Sequence, residues 1–186
     1  MKQWKSLFSL IFVAILLLTF AAGCTPKSGD ATTYAIDYNV QGYLFMDRDG
    51  QRTLVEETVL SAKNETYPQK IATGDTTPND GTFEQFSLRG FPPINNTENL
   101  NVYSREVGDG ILEVVIDQSA SIRDSETGKI TMITAVRYVL LIQENTKDLL
   151  LCHIITELGG PVQQYYFSPS PNPDSINDVL IRAYQA

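Results

Sequence analysis

The stretch Ile130-Thr131-Met132-Ile133-Thr134-Ala135-Val136-Arg137-Tyr138-Val139-Leu140-Leu141-Ile142 decides the fold, because its periodicity has two readings. Met132, Ile133, Val136, Val139 and Leu140 share one face at helical spacing, with Thr127 placed to cap the start and Asn145 the end. A strand of β-branched residues is the rival. The one-sided apolar stripe favours the helix. With it comes an α+β expectation: a single mixed or antiparallel β-sheet packed by two main helices.

Outward from this stretch the signals are simpler. Residues 149–156 form an unbroken apolar run, as in a strand buried on both faces. After Gly159-Gly160-Pro161, residues 162–167 read as an edge strand that ends before the Ser-Pro run 168–173. Ile176, Val179, Leu180 and Ala183 then recur at i, i+3, i+4 and i+7, which gives the second helix, with Asn172 or Ser175 as its cap. On the upstream side, residues 100–107 and 111–117 flank Gly108-Asp109-Gly110 and form the clearest hairpin in the chain. Residues 82–91 fit neither period, and Pro92-Pro93 ends them. Residues 61–82 read mostly as loop. Residues 34–46 alternate as a strand with a bulge or kink at Gly42, and Asp47-Arg48-Asp49-Gly50 turns the chain into a second strand over 53–60.

The beginning of the chain carries a different message. Lys2 and Lys5 precede an apolar run of 14 residues, Leu7 to Phe20, and Ala21-Ala22-Gly23-Cys24 follows. A basic n-region and an apolar core too short for a comfortable membrane span read as a signal peptide. The small residues before Cys24 resemble the bacterial lipobox, with Ala21 where Leu is usual. Residues 1–23 are therefore expected to be a lipoprotein signal peptide and Cys24 the lipidated, palmitate-bearing N-terminus. Residues 24–33 form a flexible tether, and 34–186 a single domain on the extracytoplasmic face of the cell membrane.

Net charge is −8 over 186 residues, and removing Lys2 and Lys5 with the signal takes it to −10. That balance argues against nucleic acid as a partner, because phosphate contacts need a basic face. It also repels anionic headgroups, so acyl chains rather than electrostatics must hold the protein to a membrane. Lipidation of Cys24 leaves Cys152 without an intramolecular disulfide partner.

The order of elements resembles the GerMN domain of spore germination and sporulation lipoproteins over about residues 40–160. The resemblance is carried by residues 43–50 with 54–57, by Gly90-Phe91-Pro92-Pro93, by the hairpin 100–117, and by 133–142 followed by 149–155. It departs from that family between Ser61 and Ser87, where the middle helix is not evident, and at Tyr138-Val139-Leu140, which replaces a Thr-Leu-Thr signature. What it implies is a helix over 133–142 and a non-catalytic assembly or interaction domain in the cell envelope or in sporulation and germination. It brings no catalytic residues.

Candidate chemistry is sparse. Asp47, Asp49, Gly50 and Glu56 approach a calcium-loop spacing, but Phe45 stands at the first ligand position and strands flank the loop, so a hairpin turn is expected and no metal. Asp75 and Asp80 form another acidic loop, with turn formation as its simplest explanation. Cys152 and His153 are adjacent in a strand and so point to opposite faces, which removes a Cys-His pair. Glu56 with Glu57, or Asp117 with Asp124, are the carboxylates a hydrolase would need to pair. Tyr165, Tyr166, Phe167, Tyr34, Tyr38 and Tyr43 could line a partner surface, with core packing as the alternative. No cofactor is called for and no catalytic set is identified. The expectation is a membrane-anchored interaction module whose partner is a protein or a second copy of itself. The alternative is a lipoprotein binding, or cryptically hydrolysing, an envelope glycan, peptide or small molecule.

Overall fold

The computed structural model describes residues 34–72, 80–123, 126–128, 130–158 and 160–185. The signal peptide, the tether, Cys24, Asp75 and Asp124 lie outside the described residues. Eight strands run in chain order around a closed antiparallel barrel: β1 (Ile36–Arg48), β2 (Gln51–Asn64), β3 (Asp80–Leu88), β4 (Ile94–Glu106), β5 (Ile111–Arg123), β6 (Ile130–Gln143), β7 (Leu149–Leu158) and β8 (Gln163–Ser168). One helix, α1 (Asp174–Tyr184), follows. A ninth short segment at Lys70 makes a parallel bridge to Ser104 of β4.

This architecture corrects the α+β expectation of a sheet packed by two main helices. Residues 130–142 are β6, paired on both sides with β5 and β7. The helical stripe arose because both faces of this strand are buried. Val136, Tyr138, Leu140 and Ile142 point into the barrel, while Val139 and Leu141 pack outside it against α1. A strand covered on both sides loses the alternation that marks strands in sequence. Asn145 accordingly lies in the β6–β7 turn. Residues 82–91 resolve into β3 and a turn, and β2 extends to Asn64, beyond the expected loop boundary. Residues 162–167 do form a strand, but not an edge: β8 pairs with β7 on one side and β1 on the other, and so closes the barrel.

Inward-facing residues from every strand fill the interior. Ile36, Leu44, Leu60, Phe83, Phe86, Leu100, Val102, Leu112, Ile116, Tyr138, Leu140, Cys152, Ile154 and Phe167 belong to one buried cluster. An eight-stranded barrel is just wide enough for side chains to fill. Tyr138 lies centrally, with its ring centroid 4.2 Å from that of Phe86 and its hydroxyl donating to the Pro92 carbonyl at 2.7 Å. That bond draws the β3–β4 turn across one mouth, where Phe91 meets Tyr165 edge-on at 5.2 Å. At the other mouth the segment after β2 lies along β4, with Ser104 Oγ donating to Pro68 O at 2.7 Å and Ile71 N to Ser104 O at 2.9 Å. Tyr38 reaches from β1 to the β6–β7 turn there, donating to Lys147 O at 2.8 Å.

The expected irregularity in β1 is real but displaced. The register shifts between Leu44 and Phe45, opposite Val55, while Gly42 keeps regular pairing with Thr58. Gly42 serves close approach instead. A Cβ there would lie 2.5 Å from Ser168 O and 2.7 Å from Phe167 Cζ.

The Ser-Pro run leads into α1 by side-chain turns. Ser168 Oγ accepts from Ser170 N, Ser170 Oγ from Asn172 N, and Asn172 Oδ1 from Asp174 N, at 3.1, 3.2 and 3.1 Å. The expected cap at Asn172 or Ser175 is not formed: Pro173 is the N-cap and has no side-chain cap bond, while Asn172 makes the turn that precedes the helix. Ile176 and Ala183, with Val179 and Leu180, pack on Phe45, Ile111, Val115, Val139, Leu141, Leu151 and Tyr166 of the barrel's outer wall.

Gly42→Ala is expected to destabilise the barrel by about 3 kcal/mol, at the upper end for overpacking because one clash is with backbone. Urea denaturation should show a lower midpoint with an unchanged slope.

Candidate functional site

With the interior filled, the chemistry-bearing side chains available to another molecule lie on the outer wall. Register sets them in two rows. Asn101, Asp117, Arg137, Ile155, Gln164, Asp47 and Arg52 are successive opposed positions from β4 through β8 to β1 and β2. Two residues along each strand, the parallel row contains Tyr103, Val115, Val139, His153, Tyr166, Phe45 and Leu54.

Arg137 grips Asp117 with two bonds, Nε to Oδ1 at 2.6 Å and Nη2 to Oδ2 at 2.9 Å, and this pairing holds the guanidinium above its ordinary pKa. His153 Nε2 is 3.0 Å from Gln164 Oε1, and its ring stacks on Tyr166 with centroids 4.5 Å apart and planes 11° from parallel. The Arg52 guanidinium lies 4.7 Å from the Tyr166 ring centroid. Its Nε is 3.1 Å from Asp47 Oδ2, an ion pair without hydrogen-bond alignment, and its Nη1 donates to Asn177 Oδ1 of α1 at 2.6 Å. Glu113, buried on β5, accepts from Arg105 Nε at 2.5 Å and from the Tyr184 hydroxyl. Arg182 completes the attachment of α1 through Asp109 Oδ2 and Gln143 Oε1, both at 2.6 Å.

Two open grooves border these rows. One of about 430 Å³ lies between the β1–β2 turn and the start of β8, lined by residues 46–50 and 162–164. The other, about 320 Å³, runs over β5, β6 and β7 between Asp117, Arg137 and Glu157.

The residues singled out in the sequence separate in space. Cys152 points into the core, where burial pushes its thiol far above the ordinary range, and His153 points outward. Asp47 Oδ1 accepts from Gly50 N at 2.9 Å, with Asp49 and Gly50 at φ 54° and 81°, so the near-calcium loop is a hairpin turn. Glu56 is 3.5 Å from Arg89 Nη1, Glu57 accepts from Gln41 at 2.6 Å, and Asp117 is engaged by Arg137. Among the described residues no three His, Cys, Asp or Glu side chains converge as metal ligands. Of the aromatic set, Phe167 and Tyr165 belong to the core, Tyr34 meets Lys63 Nζ at 3.7 Å, and Tyr166 enters the outer stack. The stack of Arg52, Tyr166 and His153 was missed, as was the Glu113 cluster. Arg52 and Tyr184 come from far along the chain, and the nearer pairs Arg105–Glu113 and His153–Tyr166 depend on strand register that residue types alone do not set.

Comparison with family models, with curated proteins and with solved structures finds no match.

Two outcomes follow from the outer wall. Glu113→Ala strands Arg105 and the Tyr184 hydroxyl and is expected to cost about 2 kcal/mol, with Glu113→Gln milder; thermal unfolding of both variants checks this. Burial holds the His153 imidazole below its ordinary pKa, opposed by Gln164 and Asp47 and reinforced by Arg52 and Arg137. The unfolded chain then takes the proton more readily, so His153's contribution is complete above about pH 6.5 and declines as pH falls below it. His153→Phe should flatten that slope in urea titrations across pH 7 to 5.

Proposed function

We propose that this chain is a lipid-anchored extracytoplasmic module that works by holding a protein partner rather than by catalysis. The observation that carries this reading is the filled barrel, with the β3–β4 turn drawn across one mouth and residues 69–71 paired along the edge of β4. A barrel that carries a small ligand inside needs an interior cavity. Here rings from Phe83, Phe86, Tyr138 and Phe167 take that space.

The anchor rests on the signal-like run 7–20 and on Cys24. The strands themselves do not suit a bilayer. Asp37, Asn39 and Gln41 on β1, Arg137 on β6 and Glu157 on β7 are exposed, where a membrane barrel needs an outward apolar band. The helix that a GerMN-like domain requires over 133–142 is replaced in this chain by β6. A second reading, recognition of a small polar envelope ligand, is favoured only by the polar lining of the groove beside the β1–β2 turn.

Membrane fractionation tests the anchor. The native chain should sediment with membranes and Cys24→Ala should shift to the soluble or signal-retaining form; an unchanged acylated product in the variant would refute it. Crosslinking in intact cells should recover a specific protein adduct, and its absence alongside saturable binding of a soluble glycan would favour the second reading.

A further inference from the structure

The two long strands of the first hairpin are not equally covered. β1 pairs along the whole of β2, but β3 reaches β2 only from Leu60 to Lys63, opposite Leu88 to Gln85. Among the described residues, no strand pairs with the outer edge of β2 from Gln51 to Val59. The contrast with β4 is informative: where β3 no longer flanks it, Lys70 and its neighbours bond to Ser104 and cover the edge. Leu54, Val55 and Val59 are 53%, 50% and 45% exposed, and all three fall on this uncovered stretch. A long unpaired edge beside exposed apolar side chains is a template for strand addition.

Resting on the reading of the domain as an interaction module, we propose that the free edge of β2 from Gln51 to Val59 accepts an extended, net-basic strand from another protein. The charge on the edge selects the sign. Among the described residues, Arg52 is already matched by Asp47, whereas Glu57 meets only the Gln41 amide and Glu56 only the far end of a largely exposed Arg89. A second copy of this chain brings the same two carboxylates and another strongly negative domain, so like charges oppose self-pairing. The bulge at Val55 interrupts the edge at its centre, and so divides the pairing into segments on either side. Glu57 shares the outer face with Leu54 and Val59 while Glu56 lies on the opposite face, so a partner strand with a Lys or Arg on each face at this point, and apolar residues beside Leu54 and Val59, satisfies both the backbone and the charge.

The test uses the purified full chain in detergent micelles with short fluorescent peptides of repeating Lys-Lys-Val-Val or repeating Glu-Glu-Val-Val, which place a charge on each face of the added strand. The Lys-Val peptide should bind roughly tenfold or more tightly than its Glu-Val twin, and should slow amide hydrogen exchange within 51–59. The double variant Glu56→Lys, Glu57→Lys should reverse the preference; the neutral Leu54→Ser with Val59→Ser should weaken both peptides. Failure of the Lys-Val peptide to bind, protection confined to another strand, or a preference unchanged by the double variant would overturn the proposal. A concentration-dependent dimer protected at 51–59 would also overturn it, in favour of a second copy. If the double variant keeps its protein adduct in cells, the edge assignment fails while the interaction reading stands.

Discussion

Closure of the barrel at β8 is the constraint on which the rest of the molecule depends. Four of its six residues, 164–167, pair with both β7 and β1, and the ring of Phe167 passes over Gly42 at a distance no side chain at that position would permit. Without that approach β1 and β7 are both edges, and the aromatic rings between them face water. With it, the interior closes around a continuous apolar cluster, and the outer wall of the same strands becomes the seat for α1. The helix therefore does not form a second layer of the core that could exist without the barrel. It covers a patch that exists only because β1, β5, β6, β7 and β8 are held side by side.

The same double burial explains what could be read from the chain and what could not. Hairpins bounded by turn-forming residues announced themselves: the Asp47–Gly50 and Gly108–Gly110 turns lie where the residue types place them. The α1 stripe was legible because a helix with one buried face preserves its period. In β6 the period was erased, because Val139 and Leu141 are buried by α1 while Tyr138 and Leu140 are buried by the barrel. Residues 149–156 have the same two-sided burial, yet were legible because the run is short. Length, rather than composition, misled the reading of residues 130–142. Once β6 is a strand, closure follows from antiparallel neighbours in chain order, with no crossover required.

The candidate site was less legible for a different reason. Strand geometry alone correctly separated Cys152 from His153, since adjacent residues face opposite ways. Which residues His153 meets depends on register across β1, β2, β7 and β8. Arg52 and Tyr166 are more than a hundred positions apart and become neighbours only because Asp47 is opposite both Arg52 and Gln164. No spacing rule reaches across such a separation. In sequence Asp117 reads only as a carboxylate to pair with Asp124, and Arg137 gives no signal, yet these two are opposed in the ladder.

Filling the barrel also decides where selectivity can reside. An eight-stranded barrel with small inward residues has a pocket whose walls choose its ligand. Here Phe83, Phe86, Tyr138 and Phe167 remove that option, and any recognition must be made by backbone, charge and shape on the outside. The acidity of the domain then acts twice. It keeps the barrel away from anionic headgroups, so a lipidated Cys24 would hold it near a membrane without laying its wall on the surface. It also opposes pairing of two copies at their strand edges, where Glu56 and Glu57 would face their own kind. On the proposed anchoring the two features are complementary: a lipid tether would concentrate the molecule in two dimensions, and the like-charged edge would oppose its aggregation.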